Sequence, residues 1–278
     1  MNSMNNKQKV QDEALLQIAL KAALMAGKAI LEIYQSDFAV DFKEDQSPLT
    51  AADLAAHKII AEALKNTGIP LISEEGTLPV YDERRAWQRL WMIDPLDGTK
   101  EFISKNGEFT VNIALIENGK PILGVVYAPV PEVLYFGLGS LGAWKATDAQ
   151  HVLHNCETPE QAISRSMPLP LNQIKNGFVA VCSRRHMNPE THDFIGRYHP
   201  QTDDVIYISR GSSLKFCAVA EGSADLYPRF APTMEWDSAA GQAIAEISGA
   251  NVLDPETMQP LVYNKPDLHN PSFIVVRG

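Results

Sequence analysis

The amino-acid sequence predicts a mixed α/β fold built from two different halves. Two stretches near the N-terminus carry apolar residues at helical spacing, a β-rich meander follows them, and strand-like and helix-like segments alternate in the rest of the chain. Such a pattern is expected when helices and sheets pack in layers around a shared core. With 278 residues, 45% of them hydrophobic, the chain is long enough to bury a large core.

The first half begins with two predicted helices, because apolar residues recur every three or four positions over 11–34 and again over 50–64. Short strands are predicted at 70–73 and 89–93. Acidic residues follow both strands: Glu74-Glu75 come after the first and Asp94 after the second. The ends of strands are where α/β folds usually place their chemistry.

A β-meander completes the first half. Segments 110–117 and 121–128 are rich in β-branched residues and are separated by Asn118-Gly119, the strongest short-range signal for a hairpin. Segment 133–136 continues the meander. We therefore expect an antiparallel-rich sheet beside the first two helices.

A boundary is expected between residues 148 and 176, where apolar density falls and three prolines occur. We accordingly divide the chain into an N-terminal α+β half, 1–150, and a C-terminal α/β half, 151–278. The alternation in the second half indicates a further α/β layer. Its strands are predicted at 178–182 and 205–208, and its helices at 189–198, 213–220 and 239–248.

Composition excludes several classes of protein. A net charge of −10 disfavours binding to a nucleic-acid polymer, which needs a basic face. The 3 cysteines are too few for a disulfide framework and match no zinc spacing, so we expect a reducing cytoplasm. The polar N-terminus lacks a signal-peptide core, and no run reaches the roughly 18 consecutive apolar residues of a membrane span. We therefore expect a soluble protein with no transmembrane segment.

The segment DPLDGT (residues 94–99) indicates a metal site. Pro95 stiffens the turn, so that Asp94 and Asp97 can face one cavity. Together with Glu74 and the Leu96 carbonyl, they would offer the oxygen ligands that Mg²⁺ takes alongside waters and phosphate oxygens. The alternative is a tight turn followed by a helix cap, since Asp, Pro and Gly favour turns for local reasons.

Gly98 and Thr99 add features suited to a phosphate. Gly98 permits a close backbone approach, and Thr99 is predicted to begin a short helix, so their amides would receive phosphate oxygens. Asp237, in the segment WDSAAG (236–241), lies in the first turn of another predicted helix, where an ordinary N-cap is the alternative. Carboxylates at the ends of separate elements suit two cations about 3.5–4 Å apart astride a phosphoryl group. We therefore predict a Mg²⁺-dependent phosphomonoesterase.

These motifs resemble the signatures of the inositol monophosphatase superfamily: SEE (73–75), DPLDGTKEF (94–102) and WDSAAG (236–241). Segments 106–114, 124–129 and 211–217 are similar to its bacterial 3'(2'),5'-bisphosphate nucleotidase (CysQ-type) branch. The resemblance implies a layered αβαβα sandwich of the inositol monophosphatase and fructose-1,6-bisphosphatase type. It also implies hydrolysis of 3'-phosphoadenosine 5'-phosphate to AMP and phosphate by metal-activated water, in sulfur assimilation and nucleotide recycling.

The resemblance further implies two Mg²⁺ ions, with a third near Glu74 in some members. The implied ligands are Glu74, Asp94 and the Leu96 carbonyl for the first ion, and Asp94, Asp97 and Asp237 for the second. Asp53 matches the acid that hydrogen-bonds the motif threonine, so that Thr99 would hold the nucleophilic water. The alternative for Asp53 is a charge at the start of a helix, where it interacts favourably with the helix dipole.

Contacts to the rest of the substrate also follow from the resemblance. Ser212 and Lys215 are expected near the phosphates, His186 near the nucleoside and Arg229 close by. The alternatives are surface charges for Lys215 and Arg229, and a solvated loop for His186. The expected substrate-binding set is Glu74, Leu96, Asp97, Gly98, Thr99, His186, Ser212, Lys215, Arg229 and Asp237.

Other functions remain open at this point. An inositol or other sugar monophosphatase would share the metal-binding motifs, and the basic Lys215 favours a substrate with a second phosphate over a neutral polyol. A noncatalytic phosphate-ligand sensor is the alternative from another class. The expected partner is a small phosphorylated nucleotide, and the chain is expected to be a monomer or a homodimer. Attachment to the inner face of the cell membrane has a family precedent.

Overall fold

The protein is described by a computed structural model that covers residues 2–36, 40–42, 48–172, 175, 177–183, 189–199 and 205–277. The helices are α1 (Asn2–Tyr34), α2 (Ala51–Lys65), α3 (Tyr81–Arg84), α4 (Thr99–Ile103), α5 (Ala149–Leu153), α6 (Pro159–Ser164), α7 (Pro189–Tyr198), α8 (Leu214–Glu221) and α9 (Glu235–Ile247). The strands are β1 (Val40–Phe42), β2 (Pro48–Thr50), β3 (Leu71–Ser73), β4 (Arg89–Asp97), β5 (Thr110–Glu117), β6 (Lys120–Ala128), β7 (Val133–Leu138), β8 (Gly142–Ala146), β9 (Met167–Pro168), β10 (Phe178–Cys182), β11 (Val205–Ser209), β12 (Leu226–Arg229), β13 (Ala250–Leu253) and β14 (Phe273–Arg277).

The larger sheet of the described residues has seven strands in sequence order from β3 to β9. Strand β3 runs parallel to β4, and the other neighbours are antiparallel. The predicted hairpin joins β5 to β6, and both Asn118 and Gly119 have positive φ angles of 50° and 77°. These angles suit the two central residues of a type I′ turn, which explains why this dipeptide forms the hairpin.

Helices α1 and α2 cover one face of this sheet. Their apolar stripes, including Leu16, Ala23 and Ile60, are fully buried against strands of the sheet. Among the described residues, the stretch Lys7–Tyr34 of α1 is long and apolar enough to cross a membrane by length and composition alone. More than half of its most apolar window is buried inside the protein, which is the packing of a core helix.

Helices α8 and α9 lie between the larger sheet and a five-stranded sheet of order β11-β10-β12-β14-β13. The small residues of α9 permit very close packing on both sides. A Cβ atom on Gly241 would lie 2.5 Å from the Phe216 ring of α8, and one on Gly124 of β6 would lie 2.4 Å from the Ala240 carbonyl oxygen. Helix α7 contacts β12 on the outer face of the smaller sheet.

The layers therefore alternate as helix, sheet, helix, sheet and helix, which confirms the predicted αβαβα sandwich. Several elements differ from the sequence-based expectation in their ends. Strand β4 continues through Asp97 instead of stopping at Ile93, and α9 begins at Glu235, four residues before its predicted start. Asp237 is thus in the first turn of the observed helix, as expected.

Candidate active site

A β-bulge in β4 places two acidic residues on one face of the larger sheet. Asp94 lies opposite Asn112 of β5, whereas Asp97 lies opposite Thr110, so three steps along β4 match two steps along β5. Residues three apart in a regular strand point to opposite faces, and the extra residue of a bulge removes that alternation. Asp94 and Asp97 therefore share the face that packs against α8 and α9.

Glu74 and Asp237 reach the same place from other elements. Glu74 follows β3, and its amide donates to the Ile93 carbonyl of β4 at 3.2 Å. The Asp237 Oδ2 atom accepts from the Met234 amide at 2.8 Å, which fixes the carboxylate at the start of α9. Carboxylate oxygens of Glu74, Asp94 and Asp237 all lie within 4.8 Å of one another.

Electrostatics in this cluster favour a bound cation. Burial raises the pKa of Asp94 well above its usual range, and the neighbouring charges raise it further. Burial, followed by the charge of Asp97, raises the pKa of Asp237 to about 8. Acidic groups held this close repel one another when ionised, and a divalent cation with its preference for oxygen ligands relieves that repulsion. The donor set therefore fits a hard metal ion.

Asp97 is tied to the elements around it through both its side chain and its backbone. Its Oδ2 atom accepts from Ser213 Oγ at 2.9 Å and from Asn112 Nδ2 at 3.3 Å. Its carbonyl oxygen accepts from Ser212 Oγ at 2.8 Å. These contacts join the end of β4 to the start of α8, so the two halves of the chain meet at Asp97.

Thr99 and Asp53 form the hydrogen-bonded pair that the family resemblance implies. Thr99 Oγ1 donates to Asp53 Oδ1 at 3.2 Å. The other carboxylate oxygen, Oδ2, accepts from the Thr50 amide at 2.8 Å and from Thr50 Oγ1 at 2.6 Å, within the capping box of α2. Burial raises the pKa of Asp53, although the hydrogen bonds from Thr50 oppose the shift. Asp53 is thus both a helix cap and the acceptor for Thr99.

Gly98 occupies a position that only glycine suits. Its φ angle is 95°, in the left-handed region, and a Cβ atom there would lie 2.2 Å from Ser212 Oγ. Phe102 donates its amide to the Gly98 carbonyl at 2.9 Å, which begins α4 at Thr99. The close approach between Gly98 and Ser212 brings the β4 end and the loop before α8 into contact.

Two adjoining cavities open on these residues. The larger, of about 410 Å³, lies over the acidic cluster, and the smaller, of about 160 Å³, lies beside it against the smaller sheet. They share Asp97, Gly98, Glu101, Thr233 and Asp237. The larger is also lined by Glu74, Asp94, Leu96, Thr99, Lys100, Pro232, Met234 and His269, and the smaller by Ser183, Gly211, Ser212, Lys215, Phe216, Tyr227, Arg229 and Phe273.

The smaller cavity is lined by two cationic side chains, Lys215 and Arg229. Lys215 is buried, donates to the Ser212 carbonyl at 2.6 Å and lies 5.6 Å from the Tyr227 ring centroid. Burial lowers the pKa of Lys215 to about 8, while the charge of Asp97 opposes the shift. Arg229, at the end of β12, donates through Nε to the Ala231 carbonyl at 3.1 Å. An anion in this cavity would meet two cationic side chains.

The structure brings together nearly all the residues singled out in the sequence. His186 lies outside the described residues. Leu96 lines the larger cavity, and its side chain is buried in the core. Sequence reasoning missed Asn112, Ser213 and His269: the first two contact Asp97, and the third lines the larger cavity. The only available signal was that Asn112 and Ser213 lie in segments 106–114 and 211–217, which resemble the bacterial nucleotidase branch of the family.

A model of the inositol monophosphatase family matches residues 11–275. The protein therefore belongs to the inositol monophosphatase family, which is metal-dependent. The chain is 47% identical to the 3'(2'),5'-bisphosphate nucleotidase CysQ of Salmonella typhimurium over 244 residues, which cover 86% of this chain and 90% of that protein. It is 44% identical to the protein of the same name from Escherichia coli K12 over 266 residues, which cover 94% of this chain and 99% of that protein.

Solved structures show the same relationship. The crystal structure of CysQ from Bacteroides thetaiotaomicron, a bacterial member of the inositol monophosphatase family, has a TM-score of 0.88 and 48% identity, covering 95% of this chain and 97% of that one. The extragenic suppressor protein SuhB from Bartonella henselae shares the fold, with a TM-score of 0.71 and 23% identity over 95% of this chain and 94% of that one.

Proposed function

We propose that this protein is a Mg²⁺-dependent 3'(2'),5'-bisphosphate nucleotidase that hydrolyses 3'-phosphoadenosine 5'-phosphate to AMP and phosphate. The observation that carries the proposal is the joining of two cavities at Asp97, one over an acidic cluster and one lined by Lys215 and Arg229. A substrate with two phosphates can place one at the cluster and the other near the cations. The relatives named as nucleotidases, 44–47% identical to this chain, support the choice of substrate.

The proposed metal site holds two Mg²⁺ ions. Some members of the family bind a third ion near the residue that corresponds to Glu74. When bound, the ions neutralise charge on the transferred phosphoryl group and lower the pKa of the attacking water. Asp94 would contact both ions, because its carboxylate oxygen lies within 4.8 Å of those of both Glu74 and Asp237. The proposed ligands are Glu74, Asp94 and the Leu96 carbonyl for one ion, and Asp94, Asp97 and Asp237 for the other.

We assign the positioning of the attacking water to Thr99. Its hydroxyl proton is directed to Asp53 Oδ1, so the oxygen lone pairs are free to accept a hydrogen bond from water. Asp53 cannot turn away, because Thr50 holds its other oxygen through two hydrogen bonds. The Gly98 and Thr99 amides would bind the phosphate oxygens as fixed dipoles. Water attacks phosphorus, the bond from phosphorus to the ribose oxygen breaks, and one proton of the water ends on that oxygen. The products are phosphate and the ribose hydroxyl, and no covalent enzyme intermediate is needed.

The second phosphate and the nucleoside are assigned to the C-terminal half. Lys215 and Arg229 would pair with the phosphate, and Ser212 and His186 would complete the contacts. We accordingly propose that 1–150 supplies most metal ligands, while 151–278 supplies Asp237 and the recognition residues. The free, buried state of all three cysteines supports a reducing compartment and thus a cytoplasmic enzyme. The proposed role in sulfur assimilation rests on the proposed substrate.

The test is phosphate release from 3'-phosphoadenosine 5'-phosphate by the purified protein with Mg²⁺, with EDTA, and with Mg²⁺ after Asp94→Asn. The proposal requires release with Mg²⁺ that disappears in both other reactions. Asparagine keeps the shape of Asp94 but removes its charge, so a folded, inactive variant isolates the metal site. If no phosphate is released with Mg²⁺ from this nucleotide or from inositol 1-phosphate, the protein is not a phosphatase and a sensor role replaces the proposal.

A further inference from the structure

One oxygen of the Asp97 carboxylate is held by two donors from different parts of the chain. Oδ2 accepts from Asn112 Nδ2 at 3.3 Å and from Ser213 Oγ at 2.9 Å. A carboxylate has two oxygens, each with two lone pairs, and hydrogen bonds to one of them fix the rotation of the group. The other oxygen, Oδ1, can then be presented to a cation in one orientation.

Ser213 also connects Asp97 to α9. Its Oγ atom accepts from Asn112 Nδ2 at 2.8 Å and lies 3.0 Å from the Asp237 carbonyl oxygen. The single hydroxyl proton therefore has two acceptors, and the charged carboxylate of Asp97 is the stronger one. Ser213 Oγ therefore lies within hydrogen-bond distance of both the end of β4 and the first turn of α9, the turn that carries Asp237.

Ordinary structural needs do not account for these two residues. Ser213 precedes α8 but makes no side-chain capping bond to that helix. Asn112 is 1% exposed, and its Oδ1 atom finds no partner among the described residues. A buried amide oxygen without a partner destabilises the folded state, and an apolar side chain of similar size would avoid that cost. What the asparagine does provide is a pair of donors aimed at Asp97 and Ser213.

We propose that Asn112 and Ser213 are positioning residues that orient Asp97, relative to Asp237, for binding of one divalent cation. This inference rests on the proposed function, because it takes Asp97 and Asp237 as ligands of the same ion. Partners that orient metal ligands typically change metal affinity by 10–100-fold when they are removed. Ser213→Ala and Asn112→Leu should each weaken the binding of the ion held by Asp97 and Asp237 by about 10–100-fold. The affinity for the other ion, held by Glu74 and Asp94, should stay closer to that of the wild type.

The experiment is direct counting of Mn²⁺, which binds to oxygen ligands like those of Mg²⁺, by electron paramagnetic resonance of the free ion. Wild type, Ser213→Ala and Asn112→Leu are titrated without substrate. Ser223→Ala is the matched control, because Ser223 donates at the other end of α8, to the Ala218 carbonyl at 3.1 Å and to Glu221 Oε1 at 2.8 Å. Thermal unfolding in EDTA reports whether each variant is folded.

The inference requires one class of Mn²⁺ site to weaken by about 10-fold or more in both variants and to stay unchanged in Ser223→Ala. It also requires Asn112→Leu to unfold in EDTA at or above the wild-type temperature, which a purely structural asparagine would not allow. Wild-type Mn²⁺ affinity in the two variants overturns the inference while leaving the metal site intact. Failure of the wild type itself to bind Mn²⁺ overturns the proposed function and the inference together.

Discussion

Asp94 and Asp97 are three residues apart in β4, yet they lie opposite residues of β5 that are only two apart. The bulge between them is what turns a strand end into a metal site, because a regular strand would direct one carboxylate into the α1–α2 side of the sheet. With both side chains on the face toward α9, Asp94 joins Glu74 and Asp237 in one acidic cluster, and Asp97 lines the cavity over it. Pro95, within the bulge, has no amide proton to lose from the strand ladder.

Removing the charge of Asp94 should abolish activity and stabilise the metal-free protein. Asp94→Asn is expected to lower kcat/KM by roughly 100-fold or more, equivalent to about 2.7 kcal/mol of transition-state stabilisation. Without metal, the same change removes a carboxyl whose ionised form is destabilised by burial and by the neighbouring charges, so the urea midpoint in EDTA should rise. The two measurements together distinguish a metal ligand from a core residue, whose replacement would lower both activity and the urea midpoint.

The stability of the metal-free protein should fall as pH rises. The pKa of Asp237 is raised to about 8 in the folded state, against about 3.9 for an unfolded chain. Between these values the folded state binds a proton that the unfolded state has released, so the free energy of unfolding decreases from about pH 4 to about pH 8. The midpoint of urea unfolding in EDTA, measured at pH 5.5 and pH 8, checks the direction.

Asp237→Asn is the control for that pH dependence. Asparagine does not titrate, so the difference between wild type and variant isolates the contribution of this carboxyl. The variant should lose less stability than the wild type between pH 5.5 and pH 8. An equal or larger loss in the variant would show that Asp237 is not protonated in the metal-free fold.

Thr99 should affect kcat more than KM. Thr99→Val keeps the shape of the side chain and removes the hydroxyl that donates to Asp53 and accepts from water. We expect kcat to fall by about 100-fold or more, because misplacing a reacting group by about 1 Å has a cost of this order, with KM within a few-fold of wild type. Thr99→Ser restores the hydroxyl and should recover most of the rate; equal losses in both variants would contradict this role.

Lys215 should discriminate a bisphosphate from a monophosphate. Lys215→Met is expected to raise KM for 3'-phosphoadenosine 5'-phosphate by about 10-fold or more, since charge-assisted hydrogen bonds to phosphate are the strong ones. The same substitution should change KM for inositol 1-phosphate little.

The affinity for the bisphosphate should also depend on pH through Lys215. The pKa of Lys215 is lowered to about 8, so the lysine loses its charge as pH rises through 8. In the wild type, KM for the bisphosphate should therefore increase above pH 8, and in Lys215→Met that increase should be absent.

Gly98→Ala should destabilise the fold at the junction between the two halves. The left-handed φ of 95° costs a side chain about 1–3 kcal/mol, and the new Cβ would collide with Ser212 Oγ. A double-mutant cycle with Ser212→Ala, measured by urea unfolding, separates the two effects because only the collision depends on Ser212. If the Gly98→Ala protein is as stable as the wild type, Gly98 and the Ser212 hydroxyl do not approach each other as closely as described.

Local sequence signals predicted that Glu74, Asp94, Asp97 and Asp237 lie at or just beyond the ends of elements. The structure places Glu74 directly after β3 and Asp237 in the first turn of α9, whereas Asp94 and Asp97 lie within the last four residues of β4. The layered fold followed from the order of helices and strands together with the motifs. These features depend on residues close together in the chain.

The remaining features depend on contacts between distant segments. The bulge is defined by the register of β4 against β5, and local sequence predicted a turn after Ile93 instead. Asn112 and Ser213 meet although they are 101 residues apart. Neither residue carries a signal by itself, because asparagine in a strand and serine before a helix are both common for other reasons.

The most direct test of the account is the ratio of kcat/KM for 3'-phosphoadenosine 5'-phosphate to that for inositol 1-phosphate, measured side by side with Mg²⁺. This ratio expresses specificity as a difference in transition-state binding. The proposed nucleotidase should prefer the bisphosphate nucleotide by about 100-fold or more, since a second phosphate paired with Lys215 and Arg229 adds contacts that a polyol lacks. A preference for inositol 1-phosphate would contradict it and identify a sugar monophosphatase with the same metal site.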